Sequence, residues 1–153
     1  MIRVPVAATL TILLAACSRR WDPQCREACE YDGWCRYRPD AGCVPRNDDD
    51  CRRSKHCTEE GSCFHMGDVC VAGAEADCLV SGWCGDRGGC HVYKHTCLPE
   101  SDADCQSSLF CRQLGECHAQ EHHCRVTADA DCQRSELCTR EGACRAESGR
   151  CVK

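Results

Sequence analysis

Aromatic side chains are scarce in this chain of 153 residues, at 5%. Beyond Cys17 there is no isoleucine, and Leu, Val and Phe together number 14 in 137 residues. At that content, about 10%, a chain without cross-links stays unfolded. A conventional single-core enzyme domain is thereby excluded. A barrel enzyme is excluded by length, since that fold needs roughly 250 residues. No nucleophile-elbow motif, zinc-protease signature or Gly-rich phosphate loop occurs, so we expect no catalytic residues and no enzyme. No Lys/Arg cluster reaches the size of a nucleic-acid footprint, so no nucleic-acid partner is expected. C-x2-C and C-x-C pairs are missing too, which argues against a metal-thiolate cluster. What the chain does have is cysteine. It carries 21, about 14%, well above the roughly 8–10% that marks a disulfide scaffold.

The first 16 residues read as an export signal. Arg3 is a short positive n-region, and Val4 to Ala16 is an apolar stretch of 13 residues ending in small ones. That stretch is too short to span a bilayer as a helix. Leu14-Ala15-Ala16-Cys17 resembles the lipobox of bacterial lipoproteins. The resemblance implies cleavage before Cys17, a thioether-linked diacylglycerol on its sulfur and an acyl chain on its new amine. It makes the membrane a partner through this anchor. Ser18 behind the Cys, in place of Asp, implies the outer membrane. Removing Cys17 turns an odd count of 21 into an even 20, as an oxidised exported protein requires. Arg3 leaves with the signal, so 18 basic residues face 24 acidic ones and the net charge falls to −6. Residues 17–24 form a tether that reaches at most about 25 Å.

The other cysteines fall into register. Cys51, Cys78, Cys105 and Cys132 recur every 27 residues, as do Cys57, Cys84, Cys111 and Cys138. Cys63, Cys90, Cys117 and Cys144 keep the same period, and so do Cys70, Cys97, Cys124 and Cys151. A degenerate first copy holds Cys25, Cys29, Cys35 and Cys43. Five tandem units follow: 25–50, 51–77, 78–104, 105–131 and 132–153. The repeats resemble the Cys-rich tandem-repeat lipoproteins of large bacterial genomes, a resemblance that covers nearly the whole mature chain and implies no activity.

Other repeated residues set the local structure. Asp50, Asp77, Asp104 and Asp131 precede the first Cys and read as helix N-caps, with Asp48, Glu75, Asp102 and Asp129 adding charge at that end. Ser54, Ser81, Ser108 and Ser135 lie midway between the first two Cys. The pattern predicts one helix of about two turns, with a small Ser between the thiols. Gly33, Gly61, Gly88, Gly115 and Gly142 suit a left-handed position that stops it. Third to fourth Cys reads as a β-hairpin, with Met66-Gly67-Asp68 and Glu147-Ser148-Gly149 in its turns. Each unit is therefore a small disulfide-rich fold, a short helix plus a β-hairpin stapled by two disulfides. A unit this size cannot fold on burial alone. Four Cys allow three pairings and spacing does not choose; we expect first with third and second with fourth.

His56, Trp83, Phe110 and Leu137 stand just before the second Cys. On one continuous helix they point away from the disulfides of their own unit. Packing between units is the first reading, and an exposed stripe for a glycan or a partner protein, periplasmic or extracellular, is the sharper one. Trp34 of the first copy joins neither class. His91 with His95, and His118 with His122, occupy matching places about two hairpins, with His123 beside the second pair. Solvated surface is their first reading and Zn²⁺ or Cu²⁺ binding the second. The Asp-x-Asp pairs lack the loop of a Ca²⁺ site. The expected function is a non-catalytic, exported cell-envelope lipoprotein without cofactor, a scaffold for structural or adhesive contacts. Two alternatives are a protease inhibitor-like array with Lys94 and Arg87 as bait in loops, and envelope metal binding through the His pairs.

Overall fold

The computed structural model describes residues 21–153. The expected signal (1–16), the lipidation site Cys17 and the start of the tether lie outside the described residues. The rest of the tether is not loose. Asp22 caps a 3-10 turn, Pro23–Cys25, by accepting from the Gln24 N–H at 3.1 Å. Its own N–H donates to the Cys35 carbonyl.

Five units follow in series. The first has helix α1 (Arg26–Asp32) and strands β1 (Arg36–Arg38) and β2 (Gly42–Val44). The second has α2 (Asp48–Arg52), α3 (Lys55–Glu60), β3 (Phe64–Met66) and β4 (Val69–Val71). The third has α4 (Glu75–Leu79), α5 (Gly82–Arg87), β5 (His91–Tyr93) and β6 (Thr96–Leu98). The fourth has α6 (Asp102–Ser107), α7 (Leu109–Leu114), β7 (His118–Gln120) and β8 (His123–Arg125). The fifth has α8 (Asp129–Gln133), α9 (Glu136–Glu141), β9 (Arg145–Glu147) and β10 (Arg150–Val152). Each strand pair is an isolated antiparallel hairpin. Units two to five thus begin three residues ahead of their first Cys.

The single helix expected between the first two Cys is two helices. The joint is the repeated Ser, extended at φ −77°, ψ 157° in Ser54. Its hydroxyl donates to the Cys51 carbonyl at 2.7 Å and accepts from the Cys57 N–H at 3.1 Å. It closes one helix and caps the next, which is why it is Ser and why it is buried. The Asp before the first Cys is likewise not the N-cap but the third helical residue. Asp77 and Asp131 accept from the N–H of Ala74 and Ala128, N-cap residues with no side-chain oxygen of their own. The acid two positions earlier reaches further. Asp48, Glu75, Asp102 and Asp129 accept from the N–H of His65, Val92, Ala119 and Ala146, the middle of each unit's first strand. Each hairpin edge is thereby tied to its own helix.

The repeated Gly holds φ between 74° and 80° in all five units, as the left-handed C-terminal cap requires. The hairpins of units three and four turn on two residues with positive φ, Lys94-His95 and Glu121-His122, the geometry that matches strand twist.

Ten disulfides staple the array, two per unit, and their pairing is nested rather than crossed. First pairs with fourth: Cys25–Cys43, Cys51–Cys70, Cys78–Cys97, Cys105–Cys124 and Cys132–Cys151. Second pairs with third: Cys29–Cys35, Cys57–Cys63, Cys84–Cys90, Cys111–Cys117 and Cys138–Cys144. The expected first-to-third pairing fails because the left-handed Gly folds the chain straight back. It brings the third Cys within 4.6 Å, Cα to Cα, of the second in Cys57–Cys63. The first Cys, which in units two to five lies on the other side of the Ser joint, meets the centre of the second strand and is fully buried in all five units.

Units stack through these same parts. A Cβ on Gly33, Gly61, Gly88 or Gly115 would lie 2.8–3.1 Å from the carbonyl oxygen of the next unit's Asp50, Asp77, Asp104 or Asp131. Gly142, with no unit after it, has nothing within 4 Å. The buried residue after each hairpin is Pro45, Ala72, Pro99 or Val126. Ala72 and Val126 donate N–H to the turn carbonyls of His95 and Gly149 in the following unit. The two prolines have no N–H to give.

Candidate binding seam between the third and fourth units

The residues before the second Cys all lie half-buried where successive second helices pack together. They do not form an exposed stripe. His56 sits between Asp32 of the first unit and Glu60 of its own helix, 3.5 and 2.9 Å from its ring nitrogens. Trp83 packs on the buried cluster of Ala72, Cys78 and Cys97, and so covers a disulfide of its own unit. The expected orientation assumed one continuous helix; the break at Ser81 turns α5 and swings Trp83 onto Gly89, whose missing Cβ makes room for the indole. Trp34 follows the Gly33 cap and is half-buried.

Trp83 and Phe110 enclose a guanidinium. Arg87, in the last turn of α5, stands 4.4 Å from the Trp83 ring and 5.0 Å from the Phe110 ring. Such contacts contribute about 0.5–2 kcal/mol each. Beside them an open cleft of about 200 Å³ is lined by Leu98, Pro99, Glu116, His122, His123 and Arg125. Burial pushes the Glu116 carboxyl up, against the opposing pull of Arg125, Arg150 and Arg87. His122, in the turn of the fourth hairpin, stacks on Tyr93 of the third at 4.1 Å between ring centres. Two aromatic walls, two guanidiniums and a half-buried carboxylate give this cleft both apolar and charged surfaces.

His91 and His118 each stand between two carboxylates. His91 faces Glu75 at 3.1 Å and, across the seam, Asp104 at 3.4 Å. His118 repeats this with Asp102 at 2.9 Å and Asp131 at 3.3 Å. The hydrogen bond with Asp102 raises the His118 pKa, and the same bond holds the Asp102 carboxyl low. Burial works to raise Asp131, but the N–H groups of Thr127 and Ala128 and the Thr127 hydroxyl outweigh it. The pairs His91/His95 and His118/His122 do not converge on a common point. The first member of each opens a strand between carboxylates, and the second sits in the turn. Among the described residues no group of three or more His, Cys, Asp and Glu is placed to hold a metal ion. The suggested bait residues also differ from expectation. Arg87 lies in a helix, not a loop, and Lys94 occupies a left-handed turn with φ 47°. Neither offers the extended strand that a protease binds.

Packing between units, the first reading of His56, Trp83, Phe110 and Leu137, is what the structure shows; the cleft at the seam and the carboxylates that face its histidines were missed. The alternation of Pro and N–H-bearing residues at 45, 72, 99 and 126 and the matched acids at His91 and His118 were the seam's visible signals.

No family model, curated protein or solved structure matches the chain. Its architecture defines it as a small disulfide-rich protein, a tandem array of five helix–hairpin units. Ten disulfides belong to an oxidising, extracytoplasmic environment. Among the described residues no helix is long and apolar enough to cross a membrane.

Proposed function

We propose that this protein is a non-catalytic lipoprotein of the cell envelope, held in the outer membrane through acylated Cys17, that serves as a disulfide-knit scaffold for adhesive or structural contacts. The observation that carries this reading is the stacking of five doubly stapled units in series, with the repeated Gly of each of the first four set against the backbone of the next unit. Rigid repeated surfaces suit multivalent contact, since each further site binds at a raised effective concentration. The cleft beside Trp83, Arg87 and Phe110 is the contact point of choice for a periplasmic or extracellular protein or a glycan. An aromatic face covers a sugar ring or an apolar side chain while Glu116 and Arg125 take its polar groups.

The test is the intact mass of protein purified from membranes, before and after thiol alkylation without reductant. We expect a lipid adduct on Cys17 and no alkylated thiol. A mass without lipid, or several free thiols with bound metal, overturns the reading.

A further inference from the structure

The exposed large apolar side chains are not spread along the array. They are Trp21, Tyr31, Tyr37, Phe64, Met66, Val69, Leu79 and Val80, and none among the described residues lies beyond position 80. Units four and five contain Leu109, Phe110, Leu114, Val126, Leu137 and Val152, all at least half-covered. Three of the exposed residues form one patch. Phe64, Met66 and Val69 lie on the same face of the β3–β4 hairpin, where Phe64 opposes Val71 and Met66 opposes Val69, and they are 43%, 40% and 44% exposed. The corresponding face of the fourth hairpin carries His118, Gln120, His123 and Arg125. A solvated hairpin has no use for an apolar outer face; a covered one does.

We infer that this face of the second hairpin rests on the lipid surface that holds the Cys17 acyl chains, with Trp21 in its headgroup layer. The inference rests on the proposed anchoring. The length of chain outside the structure selects this occupant. Five Cα-to-Cα steps join Cys17 to Asp22, about 17 Å when extended, so the first unit cannot leave the bilayer surface. The second unit packs directly on the first, and Arg38 of the first hairpin holds Asp68 in the turn of the second at 2.7 Å. Trp21 is 47% exposed at the point where the leash ends, and indoles favour the membrane–water interface. Charge sets the kind of lipid. Residues 18–80, with Arg19 and Arg20 beside the anchor, carry 13 acidic and 9 basic side chains, a net −4, so contact is apolar and suits neutral headgroups, not anionic ones.

The experiment uses the full acylated protein in phosphatidylcholine vesicles, with bromine near the top of one acyl chain to quench nearby indoles. Flotation and intact mass establish the anchor separately. We expect bromolipid to quench Trp21, with the loss abolished in Trp21→Phe. In that background Phe64→Trp restores about a twofold drop in the new indole's emission, as interfacial burial demands. Replacing a third of the lipid by phosphatidylglycerol weakens the quenching. Acylated protein that floats with the vesicles yet shows neither quench overturns the inference and leaves the anchor standing. Protein without lipid overturns both. Shielding of the new indole that depends on protein concentration and not on bromine assigns the face to a second copy and overturns the lipid contact.

Discussion

A glycine at the end of each second helix answers two demands at once. Its positive φ stops the helix, and its bare Cα admits the backbone of the next unit. Gly88 and Gly142 separate these demands. Their φ values are 74° and 76°, but only Gly88 has a neighbour, the Asp104 carbonyl oxygen, 2.8 Å from where a Cβ would stand. Gly142→Ala bears only the left-handed strain, about 1–2 kcal/mol. Gly88→Ala must also push the fourth unit away. We expect its urea midpoint, followed by circular dichroism without reductant, to fall at least twice as far. Equal shifts would mean that the seam is not as tight as the structure shows. The conformational half of this role was legible in the sequence, since a Gly at one fixed offset after a helix points to a cap. The close approach was not, because nothing local says which surface a neighbour will use.

At the level of elements, the Ser joint decides most of what spacing alone left open. It turns the second helix against the first, and that turn sends the first Cys to the hairpin's far strand while the second Cys closes on the third. The two bridges of a unit differ accordingly. Cys105–Cys124 spans 19 residues and Cys111–Cys117 spans 6. Loop-closure entropy assigns them about 3 and about 2 kcal/mol. Cys105 is also fully buried against the seam. We expect Cys105→Ala with Cys124→Ala to unfold the fourth unit, and Cys111→Ala with Cys117→Ala to loosen it only locally. Hydrogen exchange of the amides in 118–125 distinguishes them: full loss of protection in the first pair of substitutions, most of it kept in the second. The helix–hairpin order and the turns were readable from Asp, Gly and Cys offsets, which are local signals. The pairing, the orientation of Trp83 and the carboxylate partners of His91 and His118 depend on that joint, and no periodicity through an unbroken helix predicts them.

Across the whole molecule, one 27-residue period in the cysteines was enough to foresee a tandem array without a conventional core. It did not foresee that the seams differ. Units two and three share a backbone hydrogen bond at Ala72, and units four and five share one at Val126. The proline seams are closed instead by side chains, Arg38 on Asp68 in one, and Tyr93 on His122 with Arg87 on Phe110 in the other. The nested pairing has a mechanical consequence for such an array. When its ends are pulled, load entering at Cys51 crosses directly to Cys70, and the chain between them, 19 Cα-to-Cα steps, carries none of it. Of each period of 27 steps only eight remain in the path, 27 − 19 = 8, together with the bridge itself. A unit can therefore lengthen to about 30 Å, against roughly 90 Å for the same chain with its bridges reduced. Force spectroscopy on the oxidised protein should find no longer step, and reductant should release the remainder. A threefold longer step under oxidising conditions would refute the nested pairing. Tension applied to the two ends of this array would run through sulfur, with the helices and hairpins held out of the line of force.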